Sequence, residues 1–484
     1  MNQTGIHAPV SHCAFISSST LSKLSFGALF LFALLLRIFN LFVIEVPIEH
    51  AFIEDSIIYW NGAESWLNTG FFSRPTNLGP YVETERMPGY FLFLMAFRYV
   101  FADAFWLILI AQALFDAGTC IMIAHLGATF DRNVGIIAGL LAAAWPNFIV
   151  HSTLILTDSL FVFILCLSFV WLFRHFRTGQ LYAAVLVGLF AGLACLVRAV
   201  GLPVLFLLGA TIFVFWVWNQ KNLGKGVIAG LIVVVMGVAP LLPISIRNLV
   251  QFDTLQLTSQ SGTHMLSWVV AYSKALDTNQ SFAEVSEEFN GRLEQTIRDR
   301  NIEFVALNAF EWSDLKLERA RIEIASLPSF TLVRGWLRGA ALNIGVPAII
   351  SDPRIRSMNT ASFLEAKGSG LFQKARTFLE NNDRTFVTLL VIGIVFSGLS
   401  SLLQLAGWIV LVRRDIGLAV FMALIVAYFL LINGPVGGAK YRLPLEPFLI
   451  ILQAVVLSYT IRLIVGLKQR LGRNTDDSHS RQSG

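Results

Sequence analysis

The strongest constraint on this chain is a succession of long apolar runs, each nearly free of charge. They fall at about Ser22–Ile44, Ala104–His125, Val134–Val150, Ser159–Leu172, Leu181–Ala194, Gly201–Trp218, Val227–Ile246, Thr385–Val412, Gly417–Ile432 and Leu449–Val465. A helix crossing a bilayer needs about 20 apolar residues at 1.5 Å of rise each, and most of these runs supply that length. The composition agrees: 55% of the 484 residues are hydrophobic and 14% are charged, where soluble domains carry about 25% charge. An ordinary soluble enzyme, a disordered chain and a disulfide scaffold are excluded together. The expectation is an all-α polytopic membrane protein with about ten crossings. The stretch Gly89–Ala102 is apolar but short and contains Arg98, which suits a helix lying at the interface.

Charge placement gives the orientation. With the N-terminus inside, the inner links carry Arg132, Arg174, Arg177, Lys221, Lys225, Arg413 and Arg414, and the C-terminal end adds Arg462, Lys468, Arg470 and Arg473. This asymmetry follows the positive-inside rule and predicts both termini in the cytoplasm. It also accounts for the net charge of +5 without a nucleic-acid partner. The four cysteines are scattered, without a CxxC pair, and read as packing residues.

The expected organisation is a cytoplasmic tail at 1–21 and an N-terminal transmembrane module at 22–246 containing a first external loop at 45–103. An external helical segment at 247–384, C-terminal transmembrane helices at 385–465 and a basic cytoplasmic tail at 466–484 follow. Within the external segment, Val285, Phe289, Leu293 and Ile297 repeat every four residues among charges of alternating sign. That spacing makes one apolar helical face and predicts a small helical cap.

Three polar clusters lie on the predicted outer side. The first loop carries Glu54-Asp55 before an aromatic-rich segment, then Arg86-Met-Pro88-Gly89-Tyr90. A carboxylate there can serve as a base for an attacking hydroxyl, or simply begin a helix. Asp158, at the start of the fourth run, can cap a helix, hold a sugar hydroxyl or pair with an arginine. The third cluster is cationic: Arg198, Arg247 and the segment Lys440-Tyr441-Arg442-Leu-Pro444. Converging arginines can fork onto phosphate oxygens; the alternative is snorkelling toward lipid phosphate or water. Inside the apolar runs, Arg37 reads as snorkelling or locally paired, and Asp116 as a partner of Gln112 on the same helical face.

In their order along the chain, these motifs resemble the GT-C superfamily of polytopic glycosyltransferases, the group that includes protein O-mannosyltransferases and lipid A aminoarabinose transferases. The resemblance runs from about Leu24 to Leu449. It implies a polyprenyl-phosphate-sugar donor, a glycan, lipid or protein acceptor, and inverting transfer at the extracytoplasmic face of a membrane, most simply a bacterial inner membrane. Asp55 and Glu54 are then the expected catalytic carboxylates. Arg442, Lys440, Arg198 and Arg247 are expected to bind the donor phosphate, and Asp158, Arg86, Tyr90 and Tyr441 to shape the sugar or acceptor site. A lipid phosphate leaves readily and can be neutralised by Arg and Lys, so no cofactor is expected and a divalent metal is not favoured. The rival readings are a transporter or flippase of lipid-linked sugars and a polysaccharide polymerase or ligase.

Overall fold

A computed structural model describes residues 23–43, 51–53, 55–77, 79–102, 105–278, 280–302, 307–358 and 371–482. Glu54, the 1–21 tail and most of the Glu45–His50 stretch lie outside the described residues, as do the side chains from 466 onward. The N-terminal half runs α1 (Lys23–Val43), α2 (Ser56–Thr69), the strands β1 (Ser73–Thr76) and β2 (Gly79–Val82), α3 (Gly89–Phe101) and α4 (Phe105–Ala128). It continues through α5 (Arg132–Ala143), α6 (Pro146–His151), α7 (Asp158–Thr178), α8 (Leu181–Val197), α9 (Leu202–Val214), α10 (Leu223–Val238) and α11 (Leu242–Phe252). Next come α12 (Ser261–Thr263), α13 (Ala271–Thr278), α14 (Phe282–Asp299), α15 (Ala309–Ser326), α16 (Thr331–Gly345), α17 (Pro353–Arg356) and α18 (Leu371–Asn381). The chain ends with α19 (Arg384–Arg414), α20 (Ile416–Asn433) and α21 (Glu446–Gln482). β1 and β2 form a small antiparallel hairpin, Ser73 opposite Val82.

Among the described residues eight helical stretches are long and apolar enough to cross a membrane, and the chain is an integral membrane protein. Two expected crossings take another form. The run Val134–Val150 is broken: α5 ends at Ala143, Trp145 is extended, and Pro146 opens the short α6. Proline fits the first turn of a helix because the amide it lacks would have no partner there, and it cannot continue a preceding helix. Leu181–Val197 is a single helix of 17 residues, about 25 Å long at 1.5 Å per residue, and pairs with α7 across the tight turn at Gly179. The Gly89–Ala102 stretch forms the 13-residue α3, shorter than a span, as its length predicts. Its Arg98 leans over the Trp60 ring at 4.5 Å and pairs with Glu64 at 3.2 Å, clamping α3 to α2.

Helices α4, α5, α7, α8 and α10 build the centre of the bundle, with α21 packed along α5 and α19. Little hydrophobic force separates a helix from lipid, so small residues that admit close backbone approach decide which helices meet. At Gly192 an added Cβ would lie 2.1 Å from the Gly237 carbonyl oxygen, which fixes the α8–α10 contact. The three described cysteines, Cys120, Cys166 and Cys195, are buried in this bundle and carry no disulfide.

The charges inside the bundle are paired. Arg37 is fully buried, and its Nε donates to Asp116 Oδ2 at 2.5 Å. Its remaining donors reach the carbonyls of Ala33, Ala142 and Ala143 and the Cys120 sulfur. Asp116 therefore belongs to Arg37, not to Gln112. Gln112 instead accepts from the Tyr90 hydroxyl at 2.6 Å and donates to the Leu154 carbonyl at 2.8 Å. Periodicity places Asp116 and Gln112 on one helix face but cannot show which neighbouring helix supplies a partner.

The helices between α11 and α19 form a small layer with a core of its own. Val285 and Phe289, on the predicted face of α14, meet Leu266, Val270, Ala271 and Ala320. A capping box starts α14 at Ser281 and Glu284, and another starts α15 at Asn308 and Glu311. The layer is tied to the hairpin loop by Thr84–Ser259 hydroxyl contact at 2.9 Å and to α20 by Trp336 donating to the Leu431 carbonyl at 2.7 Å.

Asp116→Asn leaves a buried guanidinium without its counter-charge, and the loss is expected to be about 3–5 kcal/mol. Unfolding in mixed detergent micelles measures it, and a loss below 1 kcal/mol, roughly the value of a surface pair, would mean that the pair is not a structural anchor.

Candidate active site

The site forms where the loop ends of α2, α3, α7 and α8 meet the segment before α21. Asp55 occupies the position before α2 but makes no side-chain cap to that helix. Its carboxylate instead accepts from Arg86 Nη2 at 2.7 Å, with the Asp55 side chain 40% exposed. Asp55 thus does begin a helix, as one sequence reading had it, but its side chain is held by a tertiary contact.

Arg86 is positioned by a buried carboxylate. Glu83 is inaccessible to solvent, and its Oε1 accepts the backbone N–H groups of Glu85 and Arg86 at 2.7 and 3.0 Å. Burial raises the Glu83 pKa, while Arg74 and these two amides act against the rise. Glu85 joins Arg74 at 2.9 Å to Arg86 at 3.2 Å. Opposite charges at this range favour the ionised forms; burial opposes that for both groups, yet the net effect holds the Glu85 carboxyl low and the Arg86 guanidinium high.

A close approach then brings this turn to the next pair. At Gly89 an added Cβ would lie 2.6 Å from the Leu196 carbonyl oxygen, so only glycine lets the start of α3 rest on the end of α8. Arg198 follows immediately and is ion-paired to Asp158, the buried first residue of α7. Tyr59 lies between the pairs: its phenol is raised chiefly by burial and senses Arg86, Asp55, Arg198 and Asp158. The Tyr59 ring meets Tyr90 edge-on at 5.2 Å.

The segment between α20 and α21 closes the other side. Burial pushes Tyr441 up to about 12, and its hydroxyl senses Arg198, Asp55 and Asp158. Lys440 lies 5.0 Å from the Tyr441 ring, and burial pulls its ammonium down to about 8. Arg442 is buried and faces inward, its Nε donating to Glu446 at 2.6 Å and its Nη1 to the Ile344 carbonyl at 2.5 Å. Asn147 donates to the same Glu446 oxygen at 3.1 Å. His151 Nδ1 contacts the Asn147 carbonyl at 2.9 Å. Its Nε2, like Glu446 Oε2, is buried without a hydrogen-bond partner among the described residues. Burial holds His151 below its ordinary pKa, with Asp158 and the Asn147 contact acting in the opposite direction.

The structure thus gathers Asp55, Arg86, Tyr90, Asp158, Arg198 and Tyr441 around Tyr59, with Lys440 preceding Tyr441 in the same segment. Arg247 is tied elsewhere: Nη1 donates to the Glu83 carbonyl at 2.8 Å, and Nε and Nη2 donate to the side chain of Asn248. It braces the Glu83 turn. Tyr59, Glu83, Asn147 and Glu446 enter the site without having been singled out in the sequence. Glu446 had a signal, an acid four residues after Arg442 at the head of an apolar run; Tyr59 and Glu83 had none beyond their place in the loop. Among the described residues no group of three His, Cys, Asp or Glu side chains is placed to hold a metal ion.

Comparison with known proteins bears on the fold. Residues 85–244 match the family model of dolichyl-phosphate-mannose-protein mannosyltransferase, which covers Glu83's neighbour Glu85 through Asp158 and Arg198. The archaeal oligosaccharyltransferase AglB from Archaeoglobus fulgidus, solved with an inhibitory peptide and a dolichol-phosphate, matches over 92% of this chain at 14% identity and a TM-score of 0.50. The apo form from the same organism matches at 15% identity and the same TM-score. ArnT from Cupriavidus metallidurans, solved with undecaprenyl phosphate, matches over 90% of this chain and 78% of its own, at 15% identity and a TM-score of 0.37. The chain spans about half the length, 51%, of the archaeal enzyme. No curated protein matches it. The resemblance to polytopic GT-C glycosyltransferases holds, and the chain has their fold.

Gly89→Ala must push α3 off the α8 backbone. The expected cost is about 1–3 kcal/mol, seen as a lower unfolding temperature in detergent; an unchanged temperature would mean that the contact yields freely.

Proposed function

We propose that this protein transfers a sugar from a polyprenyl-phosphate-sugar to an acceptor hydroxyl at the extracytoplasmic face of its membrane. The observation that carries the reading is Asp55: a part-exposed carboxylate oriented by Arg86, with Arg198 and Tyr441 close by. The mannosyltransferase family match over residues 85–244 supports the same chemistry.

In the proposed step, the acceptor oxygen attacks the anomeric carbon while Asp55 takes its proton. The bond from that carbon to the phosphate oxygen breaks, and the lipid phosphate departs with the electron pair. One displacement inverts the anomeric centre. Phosphate is already a good leaving group, so the protein supplies a base and fixed positive charge. Lys440 and Arg198 are the cations proposed for the phosphate. Arg442, bound by Glu446, positions the segment that carries Lys440. Glu54 is proposed as a second acid, and Asp158, Tyr90 and Tyr441 as the wall facing the sugar. The reaction is proposed to need no divalent metal. A transport path would be marked by ionisable groups facing a water-filled route through the bundle; Arg37 and Asp116, which lie there, are buried against each other.

Asp55→Asn is expected to lower release of label from a radiolabelled polyprenyl-phosphate-sugar by about 10²–10⁴-fold, with donor affinity near wild type and the wild-type rate unchanged in EDTA. Near-normal turnover in the variant refutes the base, and loss in EDTA restored by Mg²⁺ refutes metal independence.

Lys440 predicts a pH dependence. Its ammonium is present below about pH 8 and is lost as pH rises through that value, so donor affinity should fall above pH 8. In Lys440→Gln the affinity should be weaker than wild type below pH 8 and flat over the same range, the two converging above it. A binding profile that still falls in the variant would remove Lys440 from the phosphate site.

A further inference from the structure

Between the β1–β2 hairpin and the first turns of α15 lies a cavity of about 310 Å³, at the low end of small-molecule sites, which span about 300–1,000 Å³. It lies outside the cluster described above but adjoins it: Glu85 lines the cavity and bonds to Arg86, which in turn holds Asp55. We infer that this cavity is a binding subsite for the acceptor, and that the acceptor it takes is a polyhydroxylated glycan. The inference rests on the glycosyltransferase reading for its direction, since it supposes that a hydroxyl is being presented to Asp55.

The chemistry of the walls favours sugar. Tyr81 and Trp312 contribute flat aromatic surfaces, suited to the apolar face of a pyranose ring. The hydroxyls of Thr84 and Ser259 bond each other and that of Thr263 accepts from Lys316; a hydroxyl has one donor and two acceptor positions, so each keeps capacity for a polyol. The wall also carries charge. Arg74 contacts Glu85 at 2.9 Å, and Glu83 behind the wall at 3.9 Å. Lys316 donates to Thr263 at 3.0 Å, lies 5.3 Å from the Trp312 ring and is within the field of Glu85. An extended peptide would be expected to add to a strand edge, but past the hairpin that edge is in use: the Ser259 N–H donates to the Thr84 carbonyl at 2.8 Å. The helical layer between α11 and α19 therefore supplies one wall of a two-walled cleft, the other wall coming from the loop that carries Asp55.

Saturation-transfer NMR on the full chain in nanodiscs tests this with three trisaccharides, maltotriose, cellotriose and mannotriose, and a threonine-rich peptide. At least one trisaccharide should bind, and Trp312→Ala should weaken it about tenfold or more, as loss of a central aromatic contact does. Tyr81→Ala, at a partly exposed ring that no core contact needs, should also weaken it, so a failure of Trp312→Ala to fold leaves a second readout. Both variants should bind polyprenyl-phosphate-sugar as wild type does. No trisaccharide binding, binding unchanged in both variants, or binding of the peptide alone would overturn the inference. Trisaccharide binding retained in Asp55→Asn supports it. If wild type binds trisaccharide yet transfers no sugar, the subsite stands and the transferase reading fails.

Discussion

A buried charge in lipid must find a counter-charge, and much of this structure follows from that requirement. Removing an ion from water costs several kcal/mol even after relaxation, and within a bundle no solvent repays it. Arg37 meets this by drawing α1, α4 and α5 to one point: Asp116 supplies the charge, and the carbonyls at Ala142 and Ala143 take the other protons. Those carbonyls have acceptor capacity left because α5 stops there, before Pro146, although the Ala142 carbonyl also accepts from the Trp145 N–H at 3.2 Å. The broken helix and the buried arginine are thus one feature, in which the unsatisfied end of α5 solvates the guanidinium.

The same rule shapes the site. Asp158 and Arg198 neutralise each other at the loop ends of α7 and α8, and Arg442 and Glu446 do so at the head of α21. Such pairs are directional as well as neutral, because the guanidinium fork sets the angle of the chain that bears it. Asp55 differs in being part exposed, so its carboxylate has capacity left for a ligand. The placement of Arg86 opposite it depends on Glu83 holding two amides from beneath and on Gly89 letting α3 touch α8. A single methyl group at position 89 would act on the site through geometry alone.

The membrane fold was largely legible in the sequence, because hydropathy measures the same transfer free energy that drives insertion. The runs at Phe105–Ala128, Asp158–Thr178 and Arg384–Arg414 are helices as expected, and α3 is as short as its apolar stretch. The amphipathic face of α14 was readable too, since a period near four survives any tertiary context. The break at Ala144–Trp145 was less so: Pro146 marks it, yet the surrounding residues remain apolar. Of the site, sequence spacing singled out the acids and arginines but could not sort partners. It grouped Arg247 with the phosphate cations, whereas that side chain braces the Glu83 turn.

The sequence by itself determined the class of structure, the position of most of the long apolar helices and the small set of ionisable residues available for chemistry. Each of these depends on composition along a single segment. Only the tertiary structure decided that Asp116 answers Arg37, that Asp158 answers Arg198, and that Asp55 turns from its helix toward Arg86. It also decided that the layer between α11 and α19 closes a cavity against the hairpin. Ion pairs act over a few ångströms, and residues that close in space stand 31, 40 and 79 positions apart in the chain; no local pattern records which of them will meet.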